Sequence, residues 1–253
     1  MAKERLADRV TAQDTDAQGC FVNDSEQAET FEFGKDPGLA ELPVGFLVLR
    51  GIDAAAMAHE FNEVRRAYLA ALCTTTPLEA ILADPRLAGY RALHAAIGRT
   101  GRQFTPSPEN LFRALYRRGA LPPILPLVDL YNHCAMRLRI SIGGHDLDTL
   151  AAPVRLARFG APARYLPLGA TKAVTIGAGE YGYVDGAGRV LCRLECRQAE
   201  YSRLTAGTRD ALLIIQGHAA LGIGEVAAAA DALLALVNAY GGGCVRATLR
   251  LLP

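Results

Sequence analysis

Tryptophan is absent from this chain and lysine is nearly so. Of the 27 basic side chains only Lys3, Lys35 and Lys172 are lysines; the other 24 are arginines. That bias suits an RNA-contacting surface and a GC-rich coding sequence equally, so by itself it decides nothing. Long apolar runs are also missing. The stretch AAAADALLALVNAY (227–240) is cut by Asp231, and no window approaches the 18 or so uninterrupted apolar residues of a membrane span. MAKERLADRVTAQDTDAQG at the amino terminus lacks the apolar run of a secretory signal, which points to the cytoplasm. Cysteine is too sparse for a disulfide scaffold. Of Cys20, Cys73, Cys134, Cys192, Cys196 and Cys244 only Cys192 and Cys196 are closely spaced. Without a second Cys/His pair at finger-like spacing, a zinc site is not expected, and neither is any other cofactor. Net charge is +1 over 253 residues. Wholesale coating of nucleic acid is therefore excluded and DNA is not an expected partner, although a local basic patch remains open.

What is present reads as a globular chain: 51% hydrophobic and 21% charged, with ample length for a core. Residues 1–29 are acidic and poor in large apolar side chains, which marks an extension; residues 30–253 read as one domain, with no internal repeat or clear linker. VGFLVLRG (44–51) is a short apolar run between Pro43 and Gly51, the pattern of a buried strand. Asp53 can cap a helix running to about Cys73, with Met57, Phe61, Val64, Tyr68 and Leu72 on its inner face. A second helix follows Pro77. Ser107 as N-cap, Pro108 and Glu109 start another, which Gly119 stops. LVDLYNHCAMRL (127–138) is a further helix. The second half turns to short segments, VRLARF, KAVTI, YGYVD and RVLCRLE, separated by GAGE and DGAG turns, which reads as antiparallel strands. An Ala-rich helix (225–240) and a strand, CVRATLRLL, close the chain. The irregular alternation gives an α+β fold with mixed and antiparallel sheets and packed helices.

Two regions could carry chemistry. Seven arginines (Arg86, Arg91, Arg99, Arg102, Arg113, Arg117, Arg118) lie between Pro85 and Arg118 with Glu109 as the one acid. Such a patch can track a phosphate backbone; a solvated helix face is the plainer reading. Over 121–150, Asp129 and Asn132 share a helix face in an apolar segment, where a carboxylate needs a partner. Gly143-Gly144-His145-Asp146 reads as a tight turn whose amides approach a ligand. The alternative is structural, with Asp129 and Asn132 tethering that turn. Thr205, Thr208 and Gln216 could likewise share one site or merely start a strand. No G-x-S-x-G elbow exists, and GAGEYG and GGGC lack the context of a phosphate loop.

SPENLFRAL (107–115), PLVDLYN (126–132) and GGHDLD (143–148), with PVGFLVLRGID (43–53) upstream and VDGAGRVLCRLECRQ (184–198) and LTAGT (204–208) downstream, resemble one family in order and spacing. It is the editing domain, B3/B4, of the phenylalanyl-tRNA synthetase beta subunit and its free-standing relatives. The resemblance covers roughly residues 30–240. It implies an α+β unit that hydrolyses tyrosine mischarged onto phenylalanine tRNA without a metal. Such a pocket discriminates by hydrogen-bonding the one hydroxyl that differs. Asp129 and Asn132 match the family's D-x-T-N-Y run, with Tyr131 in place of threonine. Gly143 takes the family's histidine position, His145 its aromatic, and Gln216 a glutamate.

The resemblance therefore implies a trans-acting deacylase whose partners are tRNA and its aminoacyl moiety. Asn132 and His145 would orient ester and water, and Asp129 and Asp146 would hold the turn. Tyr131, Gly143, Gly144, Arg193, Arg197 and Gln216 would border the substrate; Arg99, Arg102 and Arg113 would hold phosphates. The departures at Tyr131, Gly143 and Gln216 keep open a non-catalytic module that binds RNA, an amino acid or a small metabolite.

Overall fold

Two sheets stacked face to face, with helices on the outer side of one of them, set the architecture. The computed structural model describes residues 31–54, 60–241 and 245–253; the expected amino-terminal extension, the start of the first helix with Met57, and both Cys20 and Cys244 lie outside them.

In chain order the strands are β1 (Phe33–Lys35) and β2 (Val44–Arg50), followed by helices α1 (Glu60–Thr75), α2 (Leu78–Leu82), α3 (Pro85–Ala96), α4 (Ser107–Arg118) and α5 (Pro126–Leu138). Then come β3 (Ser141–Asp146), β4 (Val154–Arg158), β5 (Ala163–Tyr165), β6 (Val174–Ile176), β7 (Tyr181–Val184), β8 (Val190–Arg193), β9 (Arg197–Gln198) and β10 (Asp210–Gln216). Helix α6 (Ile223–Tyr240) and strand β11 (Arg246–Leu252) end the chain.

Four strands in the order β11-β2-β10-β3 form an antiparallel sheet, and five in the order β1-β4-β7-β8-β9 form a mixed one in which β1 and β4 run parallel. A β5–β6 hairpin makes a third, small sheet. The α+β expectation with mixed and antiparallel sheets holds.

Alternation along β2 and β10 builds two cores at once. Leu47, Leu49, Leu213 and Ile215 point to one side, where α5 and α6 cover them; Phe46, Val48, Leu212 and Ile214 point to the other, against Val154, Leu156, Tyr181 and Tyr183 of the second sheet. That is why both strands read as unbroken apolar runs rather than alternating ones. Helix α6 is long and apolar enough to cross a membrane, and here Val226, Ala229, Ala230, Leu233 and Val237 seat it on the first sheet.

Three expectations change. Val64 is 41% exposed, and Arg65 and Leu69 continue the inner face of α1 from Phe61 instead. The reason is a buried polar demand: the Arg65 guanidinium donates to the carbonyls of Leu121 and Pro122, 3.0 and 3.2 Å away. Ser107 is the first residue of α4 rather than its cap, and Pro106, which precedes it, makes no side-chain capping bond. Gly119 does end that helix, in the left-handed region at φ 74°. Most consequentially, Gly143-Gly144-His145-Asp146 is not a tight turn. It is the body of edge strand β3, paired antiparallel with β10 so that Asp146 faces Ala211 and Ser141 faces Gln216. The seven-residue run of β10 supplies the pairing that two glycines do not themselves favour.

Candidate functional site

Because β3 is a strand, its side chains alternate between the two cores. Gly144 faces the helices: a Cβ there would sit 2.8 Å from Leu204, 2.9 Å from Tyr131 and 3.0 Å from Leu213. Ser141, Gly143 and His145 face the second sheet. Ser141 Oγ donates to the Glu195 carbonyl at 3.4 Å, and His145 Nδ1 pairs with Ser202 Oγ at 2.9 Å. Between them Gly143 is half-buried, and a Cβ there would have no atom within 4 Å. The result is a notch in the edge strand. Its roof is the β8–β9 hairpin, whose Gln198, in β9, donates Nε2 to the Gly144 carbonyl at 2.6 Å.

The residues expected to form one pocket are distributed around this notch rather than gathered in it. Asp129 is buried, and its carboxylate accepts the Ile124 amide at 3.1 Å and lies 3.4 Å from Arg65. It therefore secures the chain before α5 to α1, and does not tether the β3 segment. Burial pushes its pKa up and Arg65 pulls it back only in part. Tyr131 lies against Gly144 on the helical side, with burial and the neighbouring Asp129 raising its phenol. Asn132 is half-buried and makes no side-chain hydrogen bond among the described residues. His145 is fully buried, which drives its pKa down to about 3, so it is neutral at any ordinary pH. Asp146 accepts Thr208 Oγ1 at 2.6 Å and the Asp148 amide at 3.2 Å, a local clasp at the end of β3. Gln216 stands at the opposite end, about 17 Å away at the rise of a strand. Thr205 and Thr208 therefore do not share a site with Gln216.

Of the two arginines expected opposite, Arg197 is exposed and Arg193 is committed. Arg193 makes two bonds to Glu180, at 2.6 and 2.8 Å, and its guanidinium lies 4.7 Å from the Phe104 ring centre. Arg99 joins the same carboxylate at 2.8 Å. Burial works against the charge on Glu180, but Arg193, the Gly177 amide and Arg99 together bring its pKa below the ordinary value. Arg113 and Arg91 both hold Glu109. Arg102, Arg117 and Arg118 are exposed and carry no ion pair among the described residues. No group of three or more His, Cys, Asp or Glu side chains suited to a metal occurs among the described residues. A separate open groove of about 440 Å³ lies on the outer face of the second sheet, lined by Arg155, Ala157, Phe159 and Val184 among others, remote from the notch.

A family model described as the B3/4 domain matches residues 89–232, more than half of the chain. This chain is a member of the B3/4 domain family. A search of curated proteins finds no match. Among solved structures the chain is similar to an N-terminal fragment of the phenylalanyl-tRNA synthetase beta subunit from Pyrococcus horikoshii, at 12% identity and a TM-score of 0.49. The match covers 93% of this chain and 58% of that one.

Inside the B3/4 span lies a buried polar cluster that sequence reading did not single out. His94 of α3 places Nε2 2.7 and 3.0 Å from the two carboxylate oxygens of Glu195, and Nδ1 2.7 Å from the Phe104 carbonyl. Tyr181 donates to Glu195 at 2.9 Å, and Tyr183, two residues on, donates to Gln216 Oε1 at 2.7 Å. Tyr90 donates to the Gln216 carbonyl and accepts the Ser141 amide at 2.8 Å. The Gln216 amide nitrogen is buried and meets no hydrogen-bond partner within ordinary distance among the described residues. The B3/4 domain thus borders its Gly143 notch with a polar end built by α3, β7 and the β8–β9 turn. The one signal in the sequence was the buried-run placement of Tyr181 and Tyr183; His94 and Glu195 are 101 positions apart and announce nothing alone.

Proposed function

We propose that this B3/4 domain is an aminoacyl-tRNA deacylase that takes the aminoacyl end into the Gly143 notch. The observation that carries the reading is the notch itself: an open position at Gly143 in the edge strand of a B3/4 domain. Hydrolysis of an ester needs a positioned water and a polarised carbonyl, and the notch is bordered by Ser141, Gln198 and the Gln216 amide, which are neutral hydrogen-bonding groups. The terminal ribose hydroxyl of the tRNA supplies the remaining proton transfer, so no strong protein base is demanded. Tyr131 backs the strand from α5, against Gly144 on its helical face, and His145, neutral and tied to Ser202, shapes the notch on the other face. Exposed Arg102, Arg117 and Arg118, rather than the paired Arg99 and Arg113, meet the phosphates.

Incubation of the purified chain with a panel of correctly and incorrectly charged aminoacyl-tRNAs, followed as ester loss over a no-protein control, tests this. Accelerated loss of one class is the expected result and names the substrate. A specific observation favours a second reading: position 216 carries an amide fixed by Tyr183, not a carboxylate. A flat panel from folded protein moves the reading to a module that binds the aminoacyl end, or a free amino acid, without cleaving it.

A further inference from the structure

The ring nitrogens of His94 both face acceptors. Phe104 offers only a carbonyl to Nδ1, and Glu195 offers a carboxylate to Nε2, with Tyr181 already donating to that carboxylate. A neutral imidazole has one N–H, so a neutral ring would aim a lone pair at one of the two acceptors. The arrangement is satisfied only when one proton beyond the neutral ring and the free carboxylate is held between them, as imidazolium with carboxylate or as imidazole with carboxylic acid. Both side chains are 2% exposed, so no solvent shell settles the matter for them.

The two partners belong to different parts of the fold. His94 is on α3; Glu195 is in the β8–β9 turn that roofs the notch, and its own carbonyl accepts Ser141 Oγ from the strand beneath. We propose that His94 and Glu195 are a positioning pair: their shared proton clamps the β8–β9 turn to α3 and so fixes the shape of the Gly143 notch. The role in catalysis rests on the deacylase reading; the clamp itself does not.

The groups packed around this pair are either shifted by burial toward their uncharged forms or held in ion pairs. Facing Glu195 are Tyr90, Tyr181 and Tyr183, all pushed up chiefly by burial, and the thiols Cys192, pushed up to about 12, and Cys196, also raised. His218 is pushed down by burial, and Glu109, the other acid near His94, is held by Arg91 and Arg113. For His94 burial opposes the charge, but Glu195 and the Phe104 carbonyl outweigh it and the net pKa is raised.

The test uses the full chain labelled with ¹⁵N and followed by NMR from about pH 5 to 9. The expected result is a His94 ring with both nitrogens protonated at neutral pH and a midpoint above the ordinary value of about 6.5, with the Gly143 and Gln198 amides shifting at the same midpoint. Amides that stay flat while His94 titrates, or a His94 midpoint at or below the ordinary value, overturn the clamp. Glu195→Gln keeps the geometry available, since its amide can accept from Tyr181 and donate to a neutral Nε2; it is expected to lower the His94 midpoint in a folded protein. In a chain that deacylates, the same variant should lose roughly tenfold or more in kcat and the pH dependence of kcat with it, and Glu195→Asp should recover part of both. An unchanged rate and profile would make the pair a plain structural contact. If wild-type protein cleaves no aminoacyl-tRNA, the deacylase reading falls and the amide titration alone decides the clamp.

Discussion

Two adjacent glycines in β3 meet opposite surroundings, and that contrast separates function from folding one residue at a time. Gly144 has side chains 2.8 to 3.0 Å from where a Cβ would lie, on Leu204, Tyr131 and Leu213. Gly144→Ala should therefore cost about 1–3 kcal/mol by overpacking, read as a lower urea midpoint. Gly143 has open space and no left-handed φ. Gly143→Val should change the midpoint by less than about 1 kcal/mol, as β-branched residues suit strands, yet fill the notch and abolish ester hydrolysis or ligand binding. A valine variant with full activity would remove the notch from consideration. His145 behaves differently from a surface catalytic histidine. Its ring is the partner of Ser202, which is completely buried, so His145→Ala strands a hydroxyl and should lower stability by about 1–3 kcal/mol. A loss of activity in that variant must be read against its unfolding curve.

At the level of elements, β3 shows where sequence legibility ended. Two glycines followed by a histidine and an aspartate carry turn-forming propensity, and local propensity is all a single segment displays. What overrides it is β10, far downstream in the chain, whose run from Asp210 to Gln216 holds β3 in register. Strands β2, β4, β7, β8 and β11 and helices α4, α5 and α6 were legible because their apolar patterns are strong and their turns carry glycine or proline. Helix α3 was not: its inner face includes His94 and Gly89, and Gly89 is there because the His218 ring fills the space of a Cβ. The pairing of Arg99 and Arg193 with Glu180, and of His94 with Glu195, is visible only in three dimensions. The arginine patch follows the same logic. Helix α4 is about 18 Å long, with Arg117 and Arg118 at its end and Arg102 just before its start, none of them in an ion pair among the described residues. Charge reversal of Arg117 and Arg118 together should weaken tRNA binding and lower the slope of log K against log salt by about one for each phosphate left without its arginine. Arg113→Ala, which removes one of two partners of Glu109, should leave that slope nearly unchanged. Filter binding between about 50 and 200 mM salt distinguishes the two.

Over the whole molecule, layers stacked on two sheet faces leave several ionisable groups with no water, and their signs fix how stability must follow pH. His145 is held near 3 by burial, and His133 near 4 by burial with Arg137 and Arg65 adding to it. Both folded values lie below the ordinary value of about 6.5, so both contributions are present above that pH and are lost as pH falls below it. Asp84 and Asp185, whose arginine partners hold them low, lose theirs further into acid. His94, raised, works in reverse: its contribution is complete below about 6.5 and is lost as pH rises through its folded value. Urea midpoints should therefore fall from about pH 7 to about pH 5, before carboxylates begin to titrate. His133 isolates the cause. Both its ring nitrogens are buried without partners among the described residues, and the ring packs edge-on against Tyr68 and Phe61 at 4.8 and 5.4 Å between centres. His133→Phe keeps an aromatic ring in an aromatic site while removing two unsatisfied polar atoms and a group that must stay uncharged. It should leave stability at neutral pH unchanged or raise it by about 1 kcal/mol, and it should flatten part of the decline into acid. A variant with the wild-type slope would mean that the His133 ring takes up a proton as readily folded as unfolded.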